Sequence, residues 1–444
     1  MRSLIKNIYV IFACALGVSA FSQSIENAES LKPLADKLKS NQSVTRILFL
    51  GDSHIQSGWL TDVLRKKFQI RYGNAGRGLV FPYAIANSNG EIDYTSVSNQ
   101  AWVTFRSVYD QDVFPEMGAL GFVMGNQKDS FVEIDFNEDL AAFNQVKIYG
   151  NASMNGESFS IFQSSKPLSQ FVKKKKEIVN YVVEEGETYP ELAAKFNSIT
   201  TRLLQLNGES VKNPKAGMKI RAEQVTPEYN PDFESQLQLI GEGRYTGDET
   251  VFDFPKPTRQ FILKANAAKG NILYGFQFLN SQAKSGVVLN SVGINGATYA
   301  DYLKYPIQVQ ELKNTNPDLI IISLGTNEAL SAITQEIFQA NISNLIDAFR
   351  NDNPQLPVIL IAPTDNNLKP DKTKTIVGWI QEAAKLNNVA FLNQYDATGG
   401  RGYFQKALKR TVASGDGVHF QKDGYVEQGE LIWKALENSK IVDR

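Results

Sequence analysis

A serine, a histidine and an aspartate carry the acyl-transfer chemistry legible in this chain. Ser53 follows Gly51-Asp52 directly after the apolar run Ile47-Leu48-Phe49-Leu50. Behind it Ile55, Trp59, Leu60, Val63, Leu64 and Phe68 recur at helical spacing, so the stretch reads as strand, tight turn and helix with Ser53 at the tip. A hydroxyl in that place stands over the end of a sheet beside helix-start N–H groups, where developing negative charge is stabilised. Taken alone, the tripeptide also reads as a helix cap. A serine nucleophile needs a base near neutral pH, and the chain holds two histidines, His54 and His419. Adjacent side chains at a turn diverge, which favours His419 over His54. In Asp416-Gly417-Val418-His419 a turn can set the carboxylate against one imidazole nitrogen and leave the other for the hydroxyl. Asp52 reads as a turn-stabilising residue and Arg77, in the glycine-dense Gly73-Asn74-Ala75-Gly76-Arg77-Gly78 loop, as a candidate groove residue.

These side chains need a sheet to hold them. A leading helix is expected around Leu31, Leu34, Ala35 and Leu38. The βα rhythm that starts at Ile47 returns after about residue 286. Val287 to Val292 reads as a strand ending at Gly293, followed by a helix carrying Tyr299 and Tyr302. Leu319 to Leu324 is apolar on both faces, as a central parallel strand would be, and it stops at Gly325-Thr326-Asn327-Glu328. Helices and strands then alternate to a last helix near Lys422–Leu436. Ligands of such sheets bind at the carboxyl ends of the strands. There the Ser53 N–H, the Gly293 N–H and the Asn327 amide are expected to hold an oxyanion.

Two stretches break the rhythm. Residues 91–175 and 232–285 carry short alternating runs, such as Phe131 to Phe136 and Ile272 to Phe278, separated by Gly, Asn and Asp. They are read as one inserted β-sandwich in two halves, leaving the α/β domain as 45–90 and 286–444. Between the halves, residues 178–224, flanked by Lys173 to Lys176 and by the Pro227/Pro231 stretch, are expected to fold as strand, two short helices and strand, and the lysine run is read as a solvated linker.

The 444 residues are 42% hydrophobic with a net charge of −1, which gives no sign of nucleic acid or an anionic membrane as partner. Residues 1–22 read as a secretory signal: Arg2 and Lys6, an apolar run from Ile8 to about Val18, then small residues. Cys14, the single cysteine, lies inside it, so lipoprotein anchoring there is not expected and the mature chain would have no thiol chemistry. No later stretch is long and apolar enough to span a bilayer. No metal ligand cluster is visible and no cofactor is expected. An exported, periplasmic protein is expected.

The nested segment resembles a LysM domain in its Tyr181-x-Val183-x-x-Gly186-Glu187-Thr188 opening, its Leu203-to-Asn207 helix end and its Gly217-x-x-Ile220 strand. The resemblance implies binding of N-acetylglucosamine-containing glycans through Gly186, Glu187, Thr188 and Tyr189 and through Leu206, Asn207 and Gly208. Gly51-Asp52-Ser53, Gly293, Gly325-Thr326-Asn327-Glu328 and Asp416-x-x-His419 resemble, in order, the conserved blocks of the SGNH (GDSL) hydrolases. That implies a three-layer, flavodoxin-like parallel sheet, a serine esterase with Ser53, Asp416 and His419 as triad, and no metal. Gly-Asp-Ser-His, the Gly-Asn-Ala-Gly-Arg-Gly-Leu loop and the inserted sandwich are similar to bacterial peptidoglycan O-acetylesterases. This narrower resemblance implies removal of acetyl from the C6 hydroxyl of N-acetylmuramic acid, with peptidoglycan as partner. Other readings are a deacetylase of another acetylated glycan, a polysaccharide O-acetyltransferase, or a non-catalytic wall-binding protein.

Overall fold

The structure is a computed structural model that describes residues 24–443 except 109, 111–115, 138–141, 209–213, 248, 267 and 269. The expected signal and Cys14 lie outside the described residues. The organising element is a five-stranded parallel sheet in the order Gly286–Gly293, Val44–Gly51, Leu319–Ser323, Val358–Ile361, Ala390–Leu392. Within this domain the chain therefore visits the strands in the flavodoxin-like order 2-1-3-4-5.

Alternation along each strand explains the two helical layers. Ile47, Phe49, Leu319, Ile321, Ile359 and Ile361 join one core with Leu60, Leu64, Phe68 and Trp433 from the helices Trp59–Tyr72 and Lys422–Asn438. Leu48, Leu50, Ile320, Ile322, Val358 and Leu360 point the other way, against Phe338, Ile342, Leu345, Ile376 and Ile380 of Gln335–Arg350 and Pro370–Leu386. Each fully buried side chain of this kind contributes about 1.5–3 kcal/mol by leaving water.

The inserted sandwich has two antiparallel sheets. One runs Leu237–Arg244, Ser158–Ser164, Gln260–Ala265, Ser130–Phe136, Tyr94–Ser98. The other runs Glu249–Thr258, Phe143–Gly150, Asn271–Leu279, Phe122–Asn126, Val103–Arg106, with Gly78–Val80 also paired to Asn271–Leu279. Its aromatic core, including Phe81, Phe122, Phe143, Phe276 and Phe278, is continuous with the second core of the parallel sheet. Polar bonds reinforce the junction: Glu311 accepts the Ala119 N–H at 2.6 Å and the Tyr305 hydroxyl donates to the Ser107 carbonyl at 3.3 Å.

The nested segment folds around its own small core of Val183, Tyr189, Leu192, Ala193, Phe196, Leu203, Ile220 and Ala222. Its helices are Tyr189–Lys195 and Thr200–Asn207. The lysine run is not a linker. Lys173 to Lys176 lie within the strand Val172–Val182, paired antiparallel to Lys219–Tyr229, which itself contains Pro227. All four lysines are exposed, because a two-stranded ribbon is solvated on both faces, and Lys175 pairs with Glu177 at 2.8 Å.

Two further expectations are corrected. The helix behind Ser53 is broken: Ser53–Gln56 ends at Ser57-Gly58, where Gly58 has φ of +81°, before Trp59–Tyr72 begins. Tyr299 and Tyr302 sit in a turn and the short 3₁₀ segment Asp301–Leu303, with the α-helix starting only at Pro306.

Candidate active site

The strand Val44–Gly51 delivers Ser53 to the carboxyl edge of the sheet. Gly51 is required by close approach: a Cβ there would lie 2.2 Å from Ile55 Cγ1. The buried Tyr302 hydroxyl donates to the Gly51 carbonyl at 2.6 Å and accepts its N–H at 3.2 Å, fixing the strand end. Asp52, almost fully buried, then caps the short helix by accepting the His54 N–H at 2.9 Å.

Ser53 Oγ lies 2.7 Å from His419 Nε2, and His419 Nδ1 lies 2.9 Å from Asp416 Oδ2. The Asp416 carboxylate also accepts the N–H groups of Val418 and His419, both at 2.9 Å. Burial works against its charge, but the His419 and Val418 N–H groups and the His419 ring outweigh it and hold its carboxyl down at about 2. Asp416 is therefore an anion at any pH where imidazole chemistry operates, and it fixes His419 with Nε2 toward the serine.

His54 takes no part in that chain. Its Nδ1 meets the Tyr425 hydroxyl at 3.1 Å, and its ring packs 5.3 Å from the His419 ring. Burial pushes its basicity down despite neighbouring Asp52. Glu328, also buried, accepts the Tyr299 N–H at 2.8 Å, while its other oxygen has no hydrogen-bond partner. Burial lifts its carboxyl to about 8, so it is a neutral acid at pH 7.

An open pocket of about 450 Å3 is lined by Ser53, Ser57, Asn89, Asn295, Gly296, Asn327, Leu330, Val418, His419, Phe420 and Tyr425. Asn327 spends one Nδ2 hydrogen on the Ala297 carbonyl at 2.9 Å, which leaves the second for the pocket. Gly293, the expected oxyanion donor, does not line it. As the last residue of its strand it faces Gly51, and a Cβ there would lie 1.9 Å from the Gln56 nitrogen. Its role is to let the helix after Ser53 pack on the strand. Gly296, three residues later with φ of +83°, is the glycine at the pocket. Two glycines in Gly293-Ile294-Asn295-Gly296 were visible in the sequence, but only the strand end separates their roles. Arg77 is likewise no groove residue: it is buried and bidentate to Asp93, with both bonds at 2.8 Å.

The residues expected to bind glycan in the nested segment separate into two groups. Gly186, Thr188 and Gly208 are exposed, and Leu206 is half-buried. Tyr189 is 3% exposed inside the small core. Asn207 donates to the carbonyls of Leu203 and Arg221 and accepts the Arg221 N–H, each at 2.8 Å. Glu187 pairs with Lys195 at 2.9 Å and accepts the Glu184 N–H at 2.7 Å. A module this small needs its aromatic inside and its helix end stapled to the strand, so Tyr189 is in the core and the Asn207 amide is bonded within the module.

Residues 274–426 match the model of the GDSL-like Lipase/Acylhydrolase family, a range that contains Gly296, Asn327, Asp416 and His419. The chain carries a GDSL-like lipase/acylhydrolase domain. With that domain it is a carboxylic ester hydrolase. Among solved structures, a peptidoglycan O-acetylesterase captured in action shares the fold, with a TM-score of 0.64 at 18% identity over 91% of this chain and 95% of that one. A lipase/acylhydrolase from Enterococcus faecalis aligns at 26% identity over 34% of this chain and 77% of its own, with a TM-score of 0.29. An acetylxylan esterase from Geobacillus stearothermophilus aligns at 17% identity over 36% and 75%, with a TM-score of 0.28. No curated protein sequence matches the chain. Among the described residues, no helix is long and apolar enough to cross a membrane.

Proposed function

We propose that this acylhydrolase is a serine esterase that removes O-acetyl groups from the C6 hydroxyl of N-acetylmuramic acid in peptidoglycan. The observation that carries the reading is the continuous Ser53–His419–Asp416 hydrogen-bond chain at the mouth of the pocket. Ser53 Oγ attacks the acetyl carbonyl carbon while His419 Nε2 takes its proton, and Asp416 stabilises the resulting imidazolium. The oxyanion accepts from the Ser53 N–H, the Gly296 N–H and the Asn327 amide. His419 returns the proton to the departing sugar oxygen, leaving acetyl-Ser53. A water then attacks that ester, giving its proton to His419, and Ser53 Oγ recovers the proton as acetate leaves.

Choice of polymer rests on two supports: the whole-chain fold shared with a peptidoglycan O-acetylesterase, and the LysM-like segment built into the sandwich. Bound to glycan, that segment would raise the local concentration of ester at the pocket. An exported, cell-wall location belongs to the same reading. Rates of acetate release from O-acetylated peptidoglycan and from acetylated xylan test it. Higher kcat/KM on peptidoglycan is expected, and release confined to xylan would overturn the choice of polymer.

A further inference from the structure

Asp416 and His419 stand half in solvent: their side chains are 48% and 40% exposed. Enclosure does not hold the pair, so hydrogen bonds must. Their loop is closed at its base by the bridge between Ala413 and Phe420 and by the Ser414 N–H, which donates to the His419 carbonyl at 2.7 Å. It turns back at Gly417, with φ of +86°, whose carbonyl accepts the Asn367 N–H at 2.8 Å from the connection after the strand Val358–Ile361.

Within this frame a further hydroxyl reaches the triad. Ser414 Oγ donates to Asp416 Oδ2 at 3.1 Å, the same oxygen that His419 Nδ1 meets at 2.9 Å. The main-chain N–H groups of Val418 and His419 go to the other oxygen, Oδ1. The oxygen facing the imidazole therefore divides its charge between two side-chain donors. A hydroxyl there draws charge from the carboxylate, which moderates its pull on the imidazolium and keeps the oxygen in place. The other titratable groups around the pair are His54, its ring 5.3 Å from that of His419, with Asp52 on the same turn, and Tyr425 on the last helix. None of these donates to Oδ2 in place of Ser414.

We infer that Ser414 is a positioning residue that acts through Asp416, sharing the oxygen that meets His419 Nδ1 and so setting how strongly that oxygen holds the imidazolium. This rests on the triad reading above and adds to it a side chain outside the triad.

The test is kcat/KM against pH for hydrolysis of nitrophenyl acetate, whose acid limb reports protonation of the base. Ser414→Ala should move that limb to higher pH by about half a unit, because a carboxylate without the hydroxyl favours the imidazolium more. Ser414→Thr, which keeps a hydroxyl, should leave the limb where wild type has it. A limb unmoved in Ser414→Ala, whatever happens to the plateau or to Tm, would overturn the inference, and so would an equal shift in Ser414→Thr. Asp416→Asn separates this from the triad itself and should cut kcat/KM by about 10^3 or more. Activity like wild type in Asp416→Asn would overturn the triad reading and the role of Ser414 with it.

Discussion

Ser53 and His419 are separated by 366 positions in the chain and by 2.7 Å between Oγ and Nε2. One lies at the end of the strand Val44–Gly51, the other in the loop before the last helix, Lys422–Asn438. Four of the five strands of the parallel sheet lie between them in sequence, so the contact is a product of topology. His54, one residue from Ser53, faces Tyr425 instead. His419→Ala is therefore expected to lower kcat by about 10^3 or more. His54→Phe should keep activity within about tenfold and lower Tm, because the Tyr425 hydroxyl loses a partner worth about 1–3 kcal/mol. Steady-state kinetics and thermal melts of both variants check this, and equal losses of kcat would contradict it.

Asn327 is held by the Ala297 carbonyl with one hydrogen to spare. Asn327→Ala should lower kcat by about 10^2–10^3 with little change in KM, the signature of a donor used in the transition state. A rise in KM at unchanged kcat would make Asn327 a ground-state binding residue.

Glu328 gives a pH dependence of stability. Burial raises its carboxyl from 4.5 in the unfolded chain to about 8 in the folded one. Between those values the folded state holds a proton that the unfolded state has released, so its contribution, complete below 4.5, is lost as pH rises toward 8. Glu328→Gln is neutral at every pH and keeps an acceptor for the Tyr299 N–H. The variant should gain on wild type by roughly 3 kcal/mol between pH 5 and pH 8. Denaturant unfolding at the two pH values measures the difference, and a constant offset would contradict the buried-acid account.

Tyr189 lies in the core of the nested segment, with a buried hydroxyl that has no hydrogen-bond partner. Tyr189→Phe should leave binding to peptidoglycan sacculi unchanged and stability equal or slightly higher. Weaker pull-down by sacculi at unchanged Tm would return Tyr189 to a binding surface.

Much of this was legible in the sequence because hydrophobic period reports on burial. Leu319 to Ile322 are apolar at every position, since both faces of their strand are covered, and the alternation of Phe131 to Phe136 marks a sheet in the sandwich. What sequence could not resolve were the functions of residues whose neighbours come from elsewhere in the chain. Gly293 and Gly296 are the same residue type three positions apart, and only the packing of Gln56 on one and the open pocket at the other tell them apart. Arg77 stands in a glycine-rich loop, as a ligand-binding arginine would, but Asp93 lies opposite and takes it into the core. The lysine run looked like a linker because charge suggests solvent, and a two-stranded ribbon is solvated on both faces too.

The central claim is that Ser53 is acylated and deacylated at the expense of an O-acetyl glycan. Acetate release from purified O-acetylated peptidoglycan by wild type and Ser53→Ala tests it most directly. Wild type should release acetate and Ser53→Ala should fall to the rate of the uncatalysed control, with an unchanged melting transition. Equal release by the two proteins would contradict the account.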